Sequence, residues 1–321
     1  MIYMAVYPTL IAHADWSAAP GKRWVAHAIR ETHGRYTLQA PKRVGDTSSW
    51  LAQLAAASPG GVFLGVDFPL GLPLAYAERA GITDFLDVLP RLGTGQWADF
   101  YRPAESPAEI ALSRPFYPAR PGHARQQHLL DGLGLERGDD LRRACDRGHA
   151  RRRPAAPLFW TLGPQQVGKA AISGWRDMIG PALRERDDVR LWPFAGPLAE
   201  LLEQGGIVVA ESYPAEFYTH LGLSFPKGPG GHGGKQSPFS RAANAHTLLG
   251  WAAANPIHLS NELVDLIRNG FGPKASGEDP FDAVVGLMGM LNVLFGRRPA
   301  GEPANAATRR IEGWILGQSP A

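Results

Sequence analysis

The sequence contains one cysteine, Cys145, and no long uninterrupted apolar run. One cysteine cannot form a disulfide within the chain, and it cannot supply a zinc site built from thiolates. No segment approaches the roughly 18 apolar residues that a membrane-spanning helix requires. Residues 1 to 15 also lack the basic stretch and apolar run of an export signal. We therefore expect a protein of the reducing cytoplasm with no membrane partner.

Neither sign of charge dominates the sequence. Lys and Arg number 33 and Asp and Glu number 30, for a formal net charge of +3 over 321 residues. This balance permits nucleic acid, DNA or RNA, as a partner without requiring it, and it leaves the oligomeric state open. No linker separates two hydrophobic halves, so we predict a single domain over 1–321. Loss of periodicity and runs of Pro, Arg or Gly predict insertions at about 91–158 and 226–237.

The first part of the chain has the pattern of a mixed sheet. Three β-like runs at 9–15, 23–30 and 34–40 are separated by Gly and Pro turns, which predicts a three-stranded antiparallel meander. Residues 48–58 have helical spacing, and 61–67 form a continuous apolar run typical of a buried parallel strand. The order β-β-β-α-β indicates an α/β fold.

The second part of the chain continues this alternation. Apolar residues at helical spacing predict a helix over 163–185, and two β-like runs follow at 189–194 and 206–212. Residues 279–295 place six large apolar side chains on one face, which predicts a strong final helix. We find no internal repeat.

Several of these elements begin or end with an acid. Asp15, Asp67 and Glu211 end predicted strands, and Asp279 and Asp282 open the last helix. In a parallel sheet the carboxyl ends of the strands form one edge, where ligands bind. Each acid by itself has an ordinary explanation as a cap or a turn residue. Their shared placement predicts that they converge.

Converging carboxylates repel one another unless a cation neutralises them. Oxygen ligands favour Mg²⁺ or Mn²⁺ over zinc. The predicted metal ligands are Asp15, Asp67, Asp282 and Asp279, and the predicted catalytic acids are Asp15, Asp67, Glu211 and Asp282. Divalent ions held in this way promote phosphoryl transfer or phosphodiester hydrolysis.

Four motifs occur in the order found in a known family. They are Asp15-Trp16-Ser17, Gly65-Val66-Asp67-Phe68-Pro69, Glu211-Ser212-Tyr213-Pro214 and Asp279-Pro280-Phe281-Asp282. With them the chain resembles domain-of-unknown-function family 429, a family of predicted ribonuclease H-like nucleases. The resemblance spans nearly the whole chain and implies a ribonuclease H-like fold. It also implies that Asp15, Asp67 and Asp282 stand at the predicted metal-binding positions, with Glu211 beside them.

Basic residues near the insertions are candidates for substrate binding. They are Lys169, Lys235, Arg241, Arg151 and Arg152. The arginine run from Arg142 to Arg153 is suited to a phosphate backbone, but a solvated loop explains it equally simply. Lys169 ends a stretch that matches seven positions of a phosphate-binding loop. Ala170 then replaces the required Ser or Thr, which favours an ordinary helix start.

Three functions fit these observations. The leading hypothesis is a metal-dependent nuclease or phosphodiesterase that hydrolyses nucleic-acid phosphodiester bonds. A nucleotide-dependent phosphotransferase of the actin-like type is an alternative, although the chain lacks the paired Gly-rich phosphate hairpins of that class. The third is a non-catalytic module that binds nucleic acid or protein.

Overall fold

A computed structural model describes residues 7–148, 154–163, 166–227 and 233–319 of the chain. Within these residues eight strands form one mixed sheet. The strands are β1 Leu10–Asp15, β2 Trp24–Arg30, β3 Tyr36–Leu38, β4 Lys42–Arg43, β5 Val62–Val66, β6 Val189–Trp192, β7 Ile207–Glu211 and β8 Ile257–Leu259.

The antiparallel half of the sheet confirms the predicted meander. β1 pairs antiparallel with β2, with Leu10 opposite Ile29 and Asp15 opposite Trp24, and β2 pairs antiparallel with β3. The sequence patterns did not predict β4, which pairs with β2, or β8, which adds a parallel strand beside β3. Both are very short, and therefore show little alternation.

The parallel half of the sheet carries the predicted acids. The strand order is β6-β7-β5-β1-β2-β3-β8, and β6, β7, β5 and β1 run parallel to one another. Every residue of β5 and of β7 is buried, as the continuous apolar runs predicted. Because these strands are parallel, their carboxyl ends meet at one edge.

Helices cover both faces of the sheet. They are α1 Trp50–Ala57, α2 Leu74–Arg79, α3 Phe85–Val88, α4 Gln126–Leu133, α5 Val167–Gly174, α6 Gly180–Glu185, α7 Leu198–Glu203, α8 Pro214–His220, α9 Pro238–Ala242, α10 Ala245–Ala253, α11 Asn261–Arg268 and α12 Glu278–Leu294. The π-helical turn Trp175–Ile179 joins α5 to α6, so that one helical segment over 167–185 confirms the predicted helix except for its first residues, of which 164 and 165 lie outside the described residues. No helix of the described ranges is both long and apolar enough to cross a membrane.

α12 packs directly against β1, β2 and α8. A Cβ atom on Gly286 would lie 2.2 Å from the imidazole of His13 on β1, and one on Gly289 would lie 2.1 Å from the ring of Phe217 on α8. Only glycine allows the helix to come this close. The close approach brings the first turns of α12 to the edge where β1 ends.

The predicted insertion over 91–158 contributes to the core as far as the structure describes it, up to residue 148 and from 154 onward. Phe100 and Phe116 are fully buried and pack edge-on, and both contact Trp175 of the π-helical turn. Short helices, among them α4 and the 3-10 turn Ala144–Asp146, account for its regular structure. The segment therefore buries apolar surface even though its sequence shows no sustained periodicity.

Candidate active site at the edge of the sheet

A cleft of about 860 Å³ opens at the carboxyl edge of the parallel strands. Its walls come from the ends of β1, β5 and β7, from α5, α8 and α12, from the segments around 17–22 and 235–236, and from Asp146 and Ala155. The ionisable side chains in its walls are Asp15, Lys22, Asp67, Asp146, Lys169, Glu211, Tyr213, Tyr218, Lys235, Glu278, Asp279 and Asp282. The predicted acids therefore converge on one cavity.

Asp15 and Asp67 lie side by side on neighbouring strands. Ala14 pairs with Val66 in the parallel register, and the amide of Asp67 donates to the carbonyl of Ala14 over 3.0 Å. Adjacent strands lie about 4.8 Å apart, so the two carboxyl-bearing residues are immediate neighbours. The register explains why strand ends that are far apart in sequence deliver a pair of acids.

The first turns of α12 supply the opposite wall. Asp282 is 2% exposed and accepts a hydrogen bond of 2.5 Å from the hydroxyl of Tyr218. Its second oxygen accepts a hydrogen bond from the ammonium group of Lys235. Asp279 lies one turn earlier on the same helix and is half-buried.

The carboxyls of the cleft affect one another. Burial raises the pKa of Asp15 well above its usual value, and the charges of Asp282, Asp67 and Asp279 raise it further. Burial, together with the charge of Asp282, raises the pKa of Asp67 to about 8. Burial also raises the pKa of Asp279, with added repulsion from Glu278 and Asp282. The cleft therefore disfavours additional negative charge and attracts a cation.

Lys235 provides part of that positive charge. Burial alone would lower the pKa of its ammonium group, but Asp282, assisted by Asp15 and Asp67, raises it. The lysine is consequently charged and faces the carboxyl groups of three acids. Burial and the adjacent Asp282 also raise the pKa of Tyr218, so that its phenol remains protonated and donates to Asp282.

Glu211 has a different partner from the other acids. Arg143 donates to both of its oxygens, over 2.5 and 2.7 Å, and the amide of Leu70 donates to it over 2.7 Å. Burial raises the pKa of Glu211, an effect that the guanidinium of Arg143 opposes. Because both oxygens are engaged, Glu211 anchors Arg143 and the insertion to the edge of the sheet, and the catalytic role expected of it stays a prediction.

The acids of the cleft offer carboxyl oxygens, which are the ligand atoms that a hard divalent cation prefers. Within the described ranges, however, no three acidic, histidine or cysteine side chains are gathered closely enough to form a metal site. The ammonium of Lys235 occupies one oxygen of Asp282 instead. The chemistry of the ligands fits Mg²⁺ or Mn²⁺, and their arrangement here is built around an internal lysine.

The predicted substrate-binding residues divide into three groups. Lys169 and Lys235 line the cleft. Arg241 is 1% exposed and donates to the carbonyls of Lys235, Gly270, Gly272 and Lys274, so its predicted contact with substrate is wrong. Arg151 and Arg152 lie outside the described residues.

Sequence reasoning did not predict two basic residues of the site. Lys22 is exposed at the cleft wall, close enough to Asp279 that its charge opposes a small part of the rise in the pKa of that acid. Arg143 is fully buried beneath the cleft. The position of Lys22 just before β2 could have indicated it, but nothing in the arginine run distinguishes Arg143 from its neighbours.

Comparisons with protein-family models, with curated proteins and with solved structures yield no match for this chain. The resemblance to family 429 therefore remains an interpretation of the four motifs.

Proposed function

We propose that the protein is a metal-dependent hydrolase of nucleic-acid phosphodiester bonds, with a ribonuclease H-like fold and an active site at the acidic cleft. The observation that carries the proposal is the juxtaposition of Asp15 and Asp67 on adjacent strand ends with Asp282 on the facing helix. The raised pKa values of Asp15 and Asp67 support it, because two buried acids that are both repelled by the charge of Asp282 are suited to bind a cation.

The fold gives further support. A three-stranded antiparallel meander is followed by parallel strands, and helices flank both faces. This is the arrangement implied by the resemblance to family 429. The cytoplasm, where Cys145 stays reduced, is the proposed location.

Each group in the cleft has a role under this proposal. Asp15, Asp67, Asp279 and Asp282 would close around Mg²⁺ or Mn²⁺ from their present wider spacing, and the ion would supply charge neutralisation and Lewis acidity. Lys169 and Lys22, on the walls of the cleft, attract and orient the phosphate of the substrate. Tyr218 donates to Asp282 and fixes the orientation of its carboxylate.

The test compares the wild type with Asp15→Asn and Asp67→Asn. Cleavage is followed on single-stranded and double-stranded DNA and RNA, with Mg²⁺, with Mn²⁺ or with a chelator. We expect metal-dependent cleavage that falls at least about a hundredfold in either variant. Binding of Mg²⁺ measured by calorimetry should weaken in parallel.

The matched control is Asp265→Asn, which removes one carboxylate from the exposed face of α11, where the side chain of Asp265 is 72% exposed. It should leave cleavage and metal binding unchanged. Wild-type protein that binds neither Mg²⁺ nor Mn²⁺, even with nucleic acid present, would refute the proposal. Nucleic-acid binding that survives both cleft variants and needs no metal would favour a binding module.

A further inference from the structure

The cation that pairs with Asp282 is Lys235, whose side chain is only partly buried. The Lys235 side chain is 42% exposed, whereas that of its partner Asp282 is 2% exposed. We propose that Lys235 is the exchangeable counter-ion of the site: it neutralises Asp282 until a divalent cation binds the carboxylates, and it then contacts a phosphate of the substrate. This inference rests on the proposed function and adds the means by which the site is kept neutral before it is loaded.

The chemistry of the lysine allows such an exchange. An ammonium group is a compact charge on a flexible four-carbon stem, and it makes point contacts rather than the paired contacts of a guanidinium. Its exposed fraction keeps water within reach, so that leaving Asp282 does not strand a bare charge in the protein interior. A lysine at this position can therefore change partner at small cost.

Anchoring of the backbone restricts the exchange to the side chain. Arg241 donates to the carbonyl of Lys235 over 2.6 Å, and its remaining donors reach the carbonyls of Gly270, Gly272 and Lys274. The second set of carbonyls lies just before α12, which carries Asp282. Arg241 is thus a positioning residue that fixes the base of Lys235 relative to Asp282.

Electrostatics determine the direction of the exchange. The same carboxylates, Asp282, Asp15 and Asp67, act on the ammonium of Lys235. A divalent cation among them repels the ammonium, since both carry positive charge. Phosphate oxygens entering the cleft then offer the nearest negative charge, and a contact with Lys235 couples substrate binding to metal binding.

The first experiment measures Mg²⁺ and Mn²⁺ binding to metal-free protein by calorimetry, without nucleic acid. Lys235→Met removes the internal competitor, so we expect its affinity for either metal to rise on the order of tenfold. The matched control, Lys22→Met, removes one positive charge from the same cleft without releasing Asp282. We expect a rise of no more than about twofold for this control, because the screened charge of Lys22 acts from the exposed wall.

The second experiment measures binding of a non-cleavable phosphorothioate strand in saturating Mg²⁺. Lys235→Met should bind this strand about tenfold more weakly than the wild type, although it binds metal more tightly. Lys235→Arg retains the counter-charge and serves if Lys235→Met does not fold. Its guanidinium holds a carboxylate through paired hydrogen bonds, so its metal affinity should fall below that of the wild type.

The outcomes separate this inference from the proposed function. Wild-type protein that binds metal, together with Lys235→Met that binds it no more tightly than Lys22→Met does, overturns the inference and leaves the function standing. If Lys235→Met binds metal more tightly but binds the phosphorothioate strand as well as the wild type does, the proposed contact between Lys235 and phosphate is refuted. Failure of the wild type and both Lys235 variants to bind metal overturns the inference and the proposed function together.

Discussion

Glu211 and Asp282 are both buried carboxylates at the same edge of the sheet, yet their counter-ions differ. Arg143 is fully buried, engages both oxygens of Glu211 and also binds Asp146 over 2.8 and 2.9 Å. Lys235 is partly exposed and contacts one oxygen of Asp282. The ion pair of Arg143 with Glu211 is buried and engages both carboxylate oxygens, as in a structural ion pair. The ion pair of Lys235 with Asp282 leaves one carboxylate oxygen without a cation. The exposure of the partner and the number of its hydrogen bonds therefore distinguish the acid that we expect to be structural from the one that we propose to be functional.

Of the variants that test this difference between the two counter-ions, Arg143→Met should have the largest effect on stability. The variant leaves Glu211 and Asp146 buried without their guanidinium partner and repelling each other, so we expect the free energy of unfolding to fall by about 3–5 kcal/mol. Arg143 also donates to the carbonyls of Leu70 and Glu312, which lose a partner as well. Urea denaturation followed by circular dichroism measures the loss.

Arg102→Met is the matched control for this measurement. Its side chain is 65% exposed, and its ion pair with Asp99 spans 3.8 Å. An exposed pair of this kind contributes less than about 1 kcal/mol. Equal losses in the two variants would contradict the structural role assigned to Arg143.

The sequence patterns predicted the fold better than they predicted the partners of the acids. The strand ending at Asp15, the strand before Asp67 and the helix carrying Asp282 match the structure to within one or two residues at their ends. Periodicity is a local property, and buried parallel strands impose it directly. The convergence of these acids followed from one general rule about strand ends.

The counter-ions were not predictable in the same way. Arg143 lies 68 residues before Glu211 in the chain, inside a segment without periodicity. Several neighbouring arginines are chemically equivalent to it, and only tertiary packing decides which one is buried. Arg241 illustrates the same limit, because a basic residue beside a Gly-rich loop looks identical whether it binds an anion or a set of backbone carbonyls.

A second prediction concerns pH and isolates the acids that lack a permanent partner. The pKa of Asp67 is about 8 in the folded protein, against 3.8 for an ordinary aspartate. Between these values the folded state binds more protons than the unfolded state, so stability falls as pH rises from about 4 to about 8. We expect a decrease of at least about 2 kcal/mol in chelating buffer.

Asp67→Asn replaces the carboxyl with a neutral group and should remove part of that decrease. At the alkaline end the variant should be more stable than the wild type, whereas the control Asp265→Asn should follow the wild-type curve. Chemical unfolding at several pH values measures all three proteins. An unchanged slope in Asp67→Asn would show that Asp67 does not titrate in this range.

The smallest expected effect belongs to Lys235→Met in chelating buffer. Loss of the ammonium leaves Asp282 with Tyr218 as its remaining hydrogen-bond donor among the described residues, but water reaches the vacated side because Lys235 is 42% exposed. The free energy of unfolding should therefore fall by only about 1 kcal/mol, well below the loss in Arg143→Met. Addition of Mg²⁺ should restore stability in Lys235→Met and leave Arg143→Met destabilised, since a cation in the cleft replaces the first counter-ion and not the second. A loss in Lys235→Met as large as that in Arg143→Met, with no recovery in Mg²⁺, would mean that both pairs are structural.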